Sequence, residues 1–297
     1  MIQVAFKIDV DTEIGTRIGV PNLLLLLKEL NIPATFYLSI GPDNTGRAIK
    51  RIFRPGFLKK IGRTNVISNY GIKTLLNGVL IPGPHIGKKH FALLQNIKEQ
   101  GFPVGIHSYD HQKWQDGVMK MSFEEISAEL QKARDEFTRI FNMQATTAAS
   151  PGWQANSKTL QAYDDANLIY ASDCRGISPF FPKIGEKIFN ALQIPTTLPT
   201  LDELLGRPEF PLEKLTPHYL SLLKPEIVNV MTIHPEIEGM KYLPWFREFL
   251  LALKTQAQFT TLENIAQNLL QNRAAVPVCE LIQSEVDGRS GSLAMQA

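Results

Sequence analysis

Two aspartates and two histidines stand at spacings that could build a reactive centre. Asp9-Val10-Asp11 puts carboxylates at i and i+2, which on an extended strand point to one face and could share one pocket. Two like charges so close resist joint ionisation unless a cation lies between them or they take different roles. Taken alone, the pair is better read as a turn capped by Asp11. His107-Ser108-Tyr109-Asp110-His111 spaces two imidazoles four residues apart, on one helical face or across a turn after a strand. Either placement lets both reach a single metal. The chain has six histidines in all, so this pairing carries weight. One carboxylate and two imidazoles give three ligands and an open position for water, a set suited to zinc, cobalt or manganese. The other aspartate is then free to act as a general base.

Three further segments follow candidate strands. Ser150-Pro151-Gly152-Trp153 and Ser172-Asp173-Cys174-Arg175-Gly176 carry turn signals, and as plain structure they are turns. Trp153, Asp173 and Arg175 are the candidates in them for substrate contact. Cys174 reads as a small buried residue, because no cysteine/histidine arrangement surrounds it. His234, between Ile233 and Pro235, follows the most hydrophobic late strand. A lone histidine before proline is usually structural, yet its strand-end place makes it the best available general acid.

The elements that must position these groups alternate in type. Ile2–Ile8, Ala34–Ser39, Pro103–Ile106, Gln144–Ala149, Leu168–Ser172 and Ile227–Ile233 read as strands. Helices are expected from Pro21 to near Asn31, over 88–100, and over Ser122–Phe141, where Ser122 and Glu125 match a capping box. Such alternation implies βαβ units and a parallel sheet, either open or closed into a barrel. Polar residues at the C-terminal ends of several strands suit the catalytic face of a barrel. One such unit over residues 1–272 is expected, followed by a loose tail over 273–297 that is Gly/Ser-rich from Asp287.

Charge is unevenly spread. The chain has 31 Lys+Arg against 29 Asp+Glu, yet residues 44–98 hold 11 basic residues and no acidic one. The rest of the chain carries −9, which disfavours a uniformly basic nucleic-acid binder. Within 44–98 the charges interleave with Ile52, Phe53, Phe57, Leu58 and Ile61, as in a segment lying in the headgroup region of a membrane. Each Lys or Arg near an anionic leaflet contributes ~1 kcal/mol. A solvated basic face packed on the barrel is the plainer alternative. The longest purely aliphatic run is Leu23–Leu27, far short of the ~20 residues of a spanning helix. Two cysteines are too few for a disulfide framework, and no signal peptide is visible at the N-terminus. A cytoplasmic-type, soluble protein is expected.

DVD, HSYDH, SPGW and TIH, in this order, resemble the motifs of NodB-type polysaccharide deacetylases (carbohydrate esterase family 4) across about Ile2–Glu238. The resemblance implies an α/β fold, a distorted (β/α) barrel with the basic amphipathic insertion at 44–98. It also implies one divalent metal on Asp11, His107 and His111, with Asp9 as base and His234 as acid. FKIDVDT, GPDNTGR, SDCRG and TIHPEIEG are similar to a narrower branch, deformylases of undecaprenyl-phosphate-linked 4-deoxy-4-formamido-L-arabinose. That implies a lipid-linked formamido sugar as substrate, an anionic membrane surface as partner, a peripheral place at the cytoplasmic face of the inner membrane, and no nucleic acid or protein partner. The chain departs from the wider family in two places. Val10 separates aspartates that are otherwise adjacent, and Ala149 stands where an arginine orients the base; Arg175 is the candidate substitute. Two other readings are an N-deacetylase of another amino-sugar polysaccharide or glycolipid, and an idle barrel that binds polyprenyl phosphates.

Overall fold

The computed structural model describes residues 2–48 and 76–297. Strand β1 (Ile2–Val10) is its spine. It is followed by β2 (Thr35–Ser39), β3 (Val104–Ser108), β4 (Thr147–Ala148), β5 (Tyr170–Ala171), β6 (Phe181–Ile184), β7 (Lys187–Ile188), β8 (Leu192–Gln193), β9 (Val228–Ile233), β10 (Ala257–Thr260), β11 (Val278–Glu285) and β12 (Ser292–Gln296). Parallel pairs run in the order β9-β1-β2-β3-β4-β5-β8, with β10 beside the first residues of β1. Past β8 the chain swings to β9, where the N–H groups of Thr197 and Leu198 donate to the Val230 carbonyl at 3.0 and 3.1 Å. The Thr196 and Thr232 hydroxyls meet at 2.8 Å. A few bonds rather than a full ladder close the ring, so the expected barrel is present and is distorted.

Alternation along β1 decides what points inward. Val4, Phe6, Ile8 and Val10 pack outward in the main core with the helices. Ala5 belongs instead to a second cluster with Tyr37, Ala149, Tyr170 and Val230, inside the ring. Lys7 and Asp9 share the Ala5 face, and both are buried. The helix Val20–Leu30 buries Leu23, Leu24, Leu26, Leu27 and Leu30 and ends at Asn31 in the left-handed conformation (φ 52°). Phe123–Phe141 starts with the expected capping box of Ser122 and Glu125. From the helix Leu243–Lys254, Phe246 meets Phe6 edge-on at 5.8 Å.

Two expectations need correction. Residues 278–296 are not a loose tail: β11 and β12 pair antiparallel, β11 runs parallel to β6, and Leu281, Leu293 and Ala294 are buried. The hairpin presents so few apolar residues to the body that the sequence reads as polar. The basic segment is also shorter than 44–98. Lys88, Lys89 and Lys98 belong to the helices Ile86–Lys89 and Phe91–Glu99, and the latter buries Leu94 and Ile97 in the barrel core. The remaining centre of the insertion, 49–75, with its expected interfacial face, lies outside the described residues.

The roots of the insertion are stitched together. Asp43 accepts from Glu13 N, Thr45 N and Oγ1, and Asn77 Nδ2, while its own N–H donates to the Pro84 carbonyl. Asn44 Nδ2 donates to Asp110 Oδ2 at 2.7 Å. No helix among the described residues is long and apolar enough to cross a membrane.

Two buried glutamates follow β9: Glu236 ties its end to that of β1, and Glu238 braces the loop itself. Glu236 Oε1 accepts from Thr12 N and Oγ1 at 2.8 and 2.6 Å. Gly15 is required there, because a Cβ would overlap the Glu236 carboxylate. Glu238 Oε2 accepts the His234 N–H at 3.0 Å. Burial pushes the Glu238 carboxyl from 4.5 up to about 8, against the pull of that N–H. Between those values the native state holds a proton that the unfolded chain has released. The group's contribution to stability is therefore complete below pH 4.5 and declines as pH rises toward about 8. Glu238→Gln removes this slope: thermal melts at about pH 8.5 rise by several degrees over the native protein, while those at about pH 5 change little.

Candidate metal centre and active site

Three ligand atoms converge at the mouth of the barrel. Asp11 follows the end of β1, His107 lies near the end of β3, and His111 opens the helix His111–Gly117. Asp11 Oδ1 lies 3.2 Å from His107 Nε2 and 3.4 Å from His111 Nε2. The three ligand atoms all fall within 4.8 Å of one another. The histidines thus flank a turn after a strand instead of sharing one helical face. Asp110 fixes that turn by capping the helix, its Oδ1 accepting Lys113 N at 2.9 Å, while its Oδ2 takes the bond from Asn44.

The donor set fits a divalent ion. His107 Nδ1 is 2.7 Å from the Ala149 carbonyl, so this nitrogen carries the proton and Nε2 turns its lone pair toward Asp11. Asp11 Oδ1 is buried and makes no well-aligned hydrogen bond in the described residues. Burial alone would raise the Asp11 carboxyl, but His111 and His107 outweigh it and hold it well below the usual carboxylate range. Burial likewise works against a charged His107, and Asp9 and Asp11 override it to push the imidazole upward. The three groups attract positive charge, as a metal site must.

Asp9 and His234 border this centre. Asp9 is buried, with Oδ2 3.0 Å from Lys7 Nζ and Oδ1 lacking a hydrogen-bond partner among the described residues. His234 follows β9, and its charge is felt by Asp11. Its backbone is held by Glu238, while its Nδ1 is buried without a partner there.

The three candidates for substrate contact are placed differently. Trp153, at φ 55°, is 2% exposed; its Nε1 donates to Thr196 Oγ1, and Arg289 stacks 4.4 Å from its ring. Asp173 is fully buried, accepting Ser150 N at 2.6 Å and Gln193 Nε2 at 2.9 Å. Burial pushes its carboxyl upward, although Gln193, Ser150 and Lys7 pull the other way. Arg175 donates to Glu203 Oε1 and to the Leu198 and Thr196 carbonyls, and no bond joins it to Asp9. These residues brace the walls of the site. Lys7, Glu236 and Glu238 are the contributors that sequence reasoning passed over, though the first stands within FKIDVDT and the other two within TIHPEIEG.

Comparison with known proteins agrees with this geometry. A family model described as polysaccharide deacetylase matches residues 11–171, a span that includes all three ligand candidates. A probable 4-deoxy-4-formamido-L-arabinose-phosphoundecaprenol deformylase ArnD of Shewanella sediminis is 37% identical, over 99% of this chain and 95% of its own. The protein of the same name from Wigglesworthia glossinidia brevipalpis is 35% identical, over 95% of this chain and 98% of its own. Among solved structures, a polysaccharide deacetylase-type protein from Mycobacterium smegmatis superposes with a TM-score of 0.65 at 16% identity, covering 96% of this chain and 94% of that one. PuuE allantoinase does so at 0.59 and 14% identity, over 91% of each. These two likenesses concern the fold. On the family match and the near-full-length relatives, the chain belongs to the polysaccharide deacetylase family, hydrolases of amide carbon–nitrogen bonds.

Proposed function

We propose that the protein is a metal-dependent deformylase of undecaprenyl-phosphate-linked 4-deoxy-4-formamido-L-arabinose. The observation that carries this reading is the pairing of two deformylase-named relatives along nearly the whole chain with an Asp/His/His trio beside Asp9 and His234. Asp11, His107 and His111 would hold one divalent ion, zinc, cobalt or manganese. When bound, that ion supplies Lewis-acid polarisation of the amide carbonyl and lowers the pKa of water at the site.

The protein's own groups do the rest. Asp9 Oδ1 accepts a proton from the attacking water as the water oxygen bonds to the formyl carbon. His234 delivers a proton to the sugar nitrogen as the C–N bond breaks. Formate and a sugar ammonium leave, so a neutral amide becomes a cation. On lipid A, that cation would offset phosphate charge and weaken attraction for polymyxin and other cationic peptides. Protein supplied with each metal in turn should release formate and no acetate from the lipid-linked sugar. Chelation should abolish turnover, and His234→Asn should lower kcat by about a hundredfold or more. Metal-free protein that keeps full activity, or acetate release from an N-acetyl sugar in preference to formate, would reject the reading.

A substrate anchored in a bilayer also has to be reached at its surface. The insertion supports this, because its root is joined through Asn44 to the cap of the His111 helix, beside the mouth of the site. Val79, Leu80 and Ile81 are exposed on that root, and the basic residues Lys50, Arg51, Arg54, Lys59, Lys60, Arg63 and Lys73 lie further along it in sequence. Peripheral binding to the anionic cytoplasmic leaflet follows as a proposal. In flotation, the protein should rise with vesicles containing anionic lipid, less so at high salt, and not with neutral ones. Equal absence from both would remove the membrane assignment.

A further inference from the structure

Lys7 sits where a lysine is ordinarily costly. It has no exposed surface, and its ammonium lies inside the barrel, two residues before Asp9 on the same face of β1. Its Nζ is 3.0 Å from Asp9 Oδ2 and finds no well-aligned hydrogen-bond acceptor among the described residues. The surrounding walls are aromatic: Nζ is 5.2 Å from the ring of Trp153 and 6.0 Å from that of Tyr37. Such faces tolerate a cation but do not hold its direction as a carboxylate does. Removing an ammonium from water is strongly unfavourable unless a close opposite charge compensates. Asp9, itself buried, is that charge. Two other cations lie against Trp153 and are already committed, Arg175 to Glu203 and two backbone carbonyls and Arg289 to Glu203 and Thr200.

The two oxygens of Asp9 are thereby made unequal. Oδ2 is held by Lys7, whereas Oδ1 is buried and without a hydrogen-bond partner among the described residues. We infer that Lys7 is the positioning residue of the active site: its buried ammonium pins Asp9 Oδ2 so that Oδ1 is the oxygen presented to the attacking water. The assignment rests on Asp9 serving as base in the proposed reaction. Lys7 touches neither water nor substrate in this role and acts through Asp9. With Lys7 in place, Asp9 has a cationic partner although Ala149 offers none.

Two measurements test this. In the first, kinetics and metal content are compared for the native enzyme, Lys7→Met and Lys7→Arg. Lys7→Met should lose about a hundredfold in kcat with KM within about threefold and its metal content unchanged, while Lys7→Arg recovers a substantial part of kcat. A Lys7→Met enzyme with native kcat, or one that loses its metal, would overturn the proposal. If Lys7→Met does not fold, Lys7→Gln takes its place under the same criteria. The second measurement is independent of turnover. In protein labelled with ¹⁵N-lysine, a slowly exchanging ammonium resonance should be present, vanish in Lys7→Arg and shift in Asp9→Asn. Its absence, or its indifference to Asp9→Asn, also overturns the proposal. Should the native enzyme fail to release formate from the sugar, the substrate reading falls, while this resonance still decides the ion pair.

Discussion

The molecule depends on holding several charges together out of water at one end of a parallel barrel. Lys7, Asp9, Asp11, His107, Asp173, Glu236 and Glu238 converge on or around a centre where few are exposed. Isolated, each would be strongly disfavoured in its charged form. They are accommodated by three different means. Lys7 and Asp9 pair directly, Asp11 is balanced by two imidazoles, and Asp173 and the two glutamates are pushed toward the neutral form. The trio around Asp11 is the one set whose attraction for positive charge faces an open mouth, which is what a metal ligand set requires.

The barrel supplies the rigidity this arrangement needs. β1 pairs with β9 from Gln3 to Ile8, with β10 over Ile2–Ala5 and with β2 over Lys7–Val10, so its inward residues cannot shift register without moving three neighbours. Glu236 then fastens Thr12, just beyond Asp11, to the loop that carries His234. Asp9, Asp11, His111 and His234 are thus set by one strand, one cross-link and the turn capped by Asp110. Because Asp110 also receives Asn44, the root of the basic insertion is mechanically continuous with the ligand His111. A membrane-facing insertion and a hydrolytic centre would then be adjacent parts of one device.

Much of this was legible in the residues themselves. The apolar run before Asp9, the capping box at Ser122 and the strand before His234 carry strong local signals, and each appears close to its expected place. The convergence of Asp11, His107 and His111 was foreseeable because metal ligation constrains both residue type and spacing. What escaped notice has equally physical causes. β7 and β8 are two residues long and β6 four, and β11 with β12 buries only a thin apolar face, so periodicity hardly registers. Lys7 was overlooked because a lysine in a strand normally marks the solvent side, and only tertiary packing reveals a carboxylate waiting inside. Asp173 and Arg175 drew attention for their chemistry, yet their partners are the scaffold.

The central claim is that Asp11, His107 and His111 grip one catalytic ion between Asp9 and His234. Anomalous diffraction from crystals of the cobalt-loaded protein tests it most directly. The account predicts a single strong peak within ~2.2 Å of Asp11 Oδ1 and of the Nε2 atoms of His107 and His111, with Asp9 Oδ1 facing it across a water. A peak on any other set of side chains, or none at stoichiometric cobalt, would contradict it.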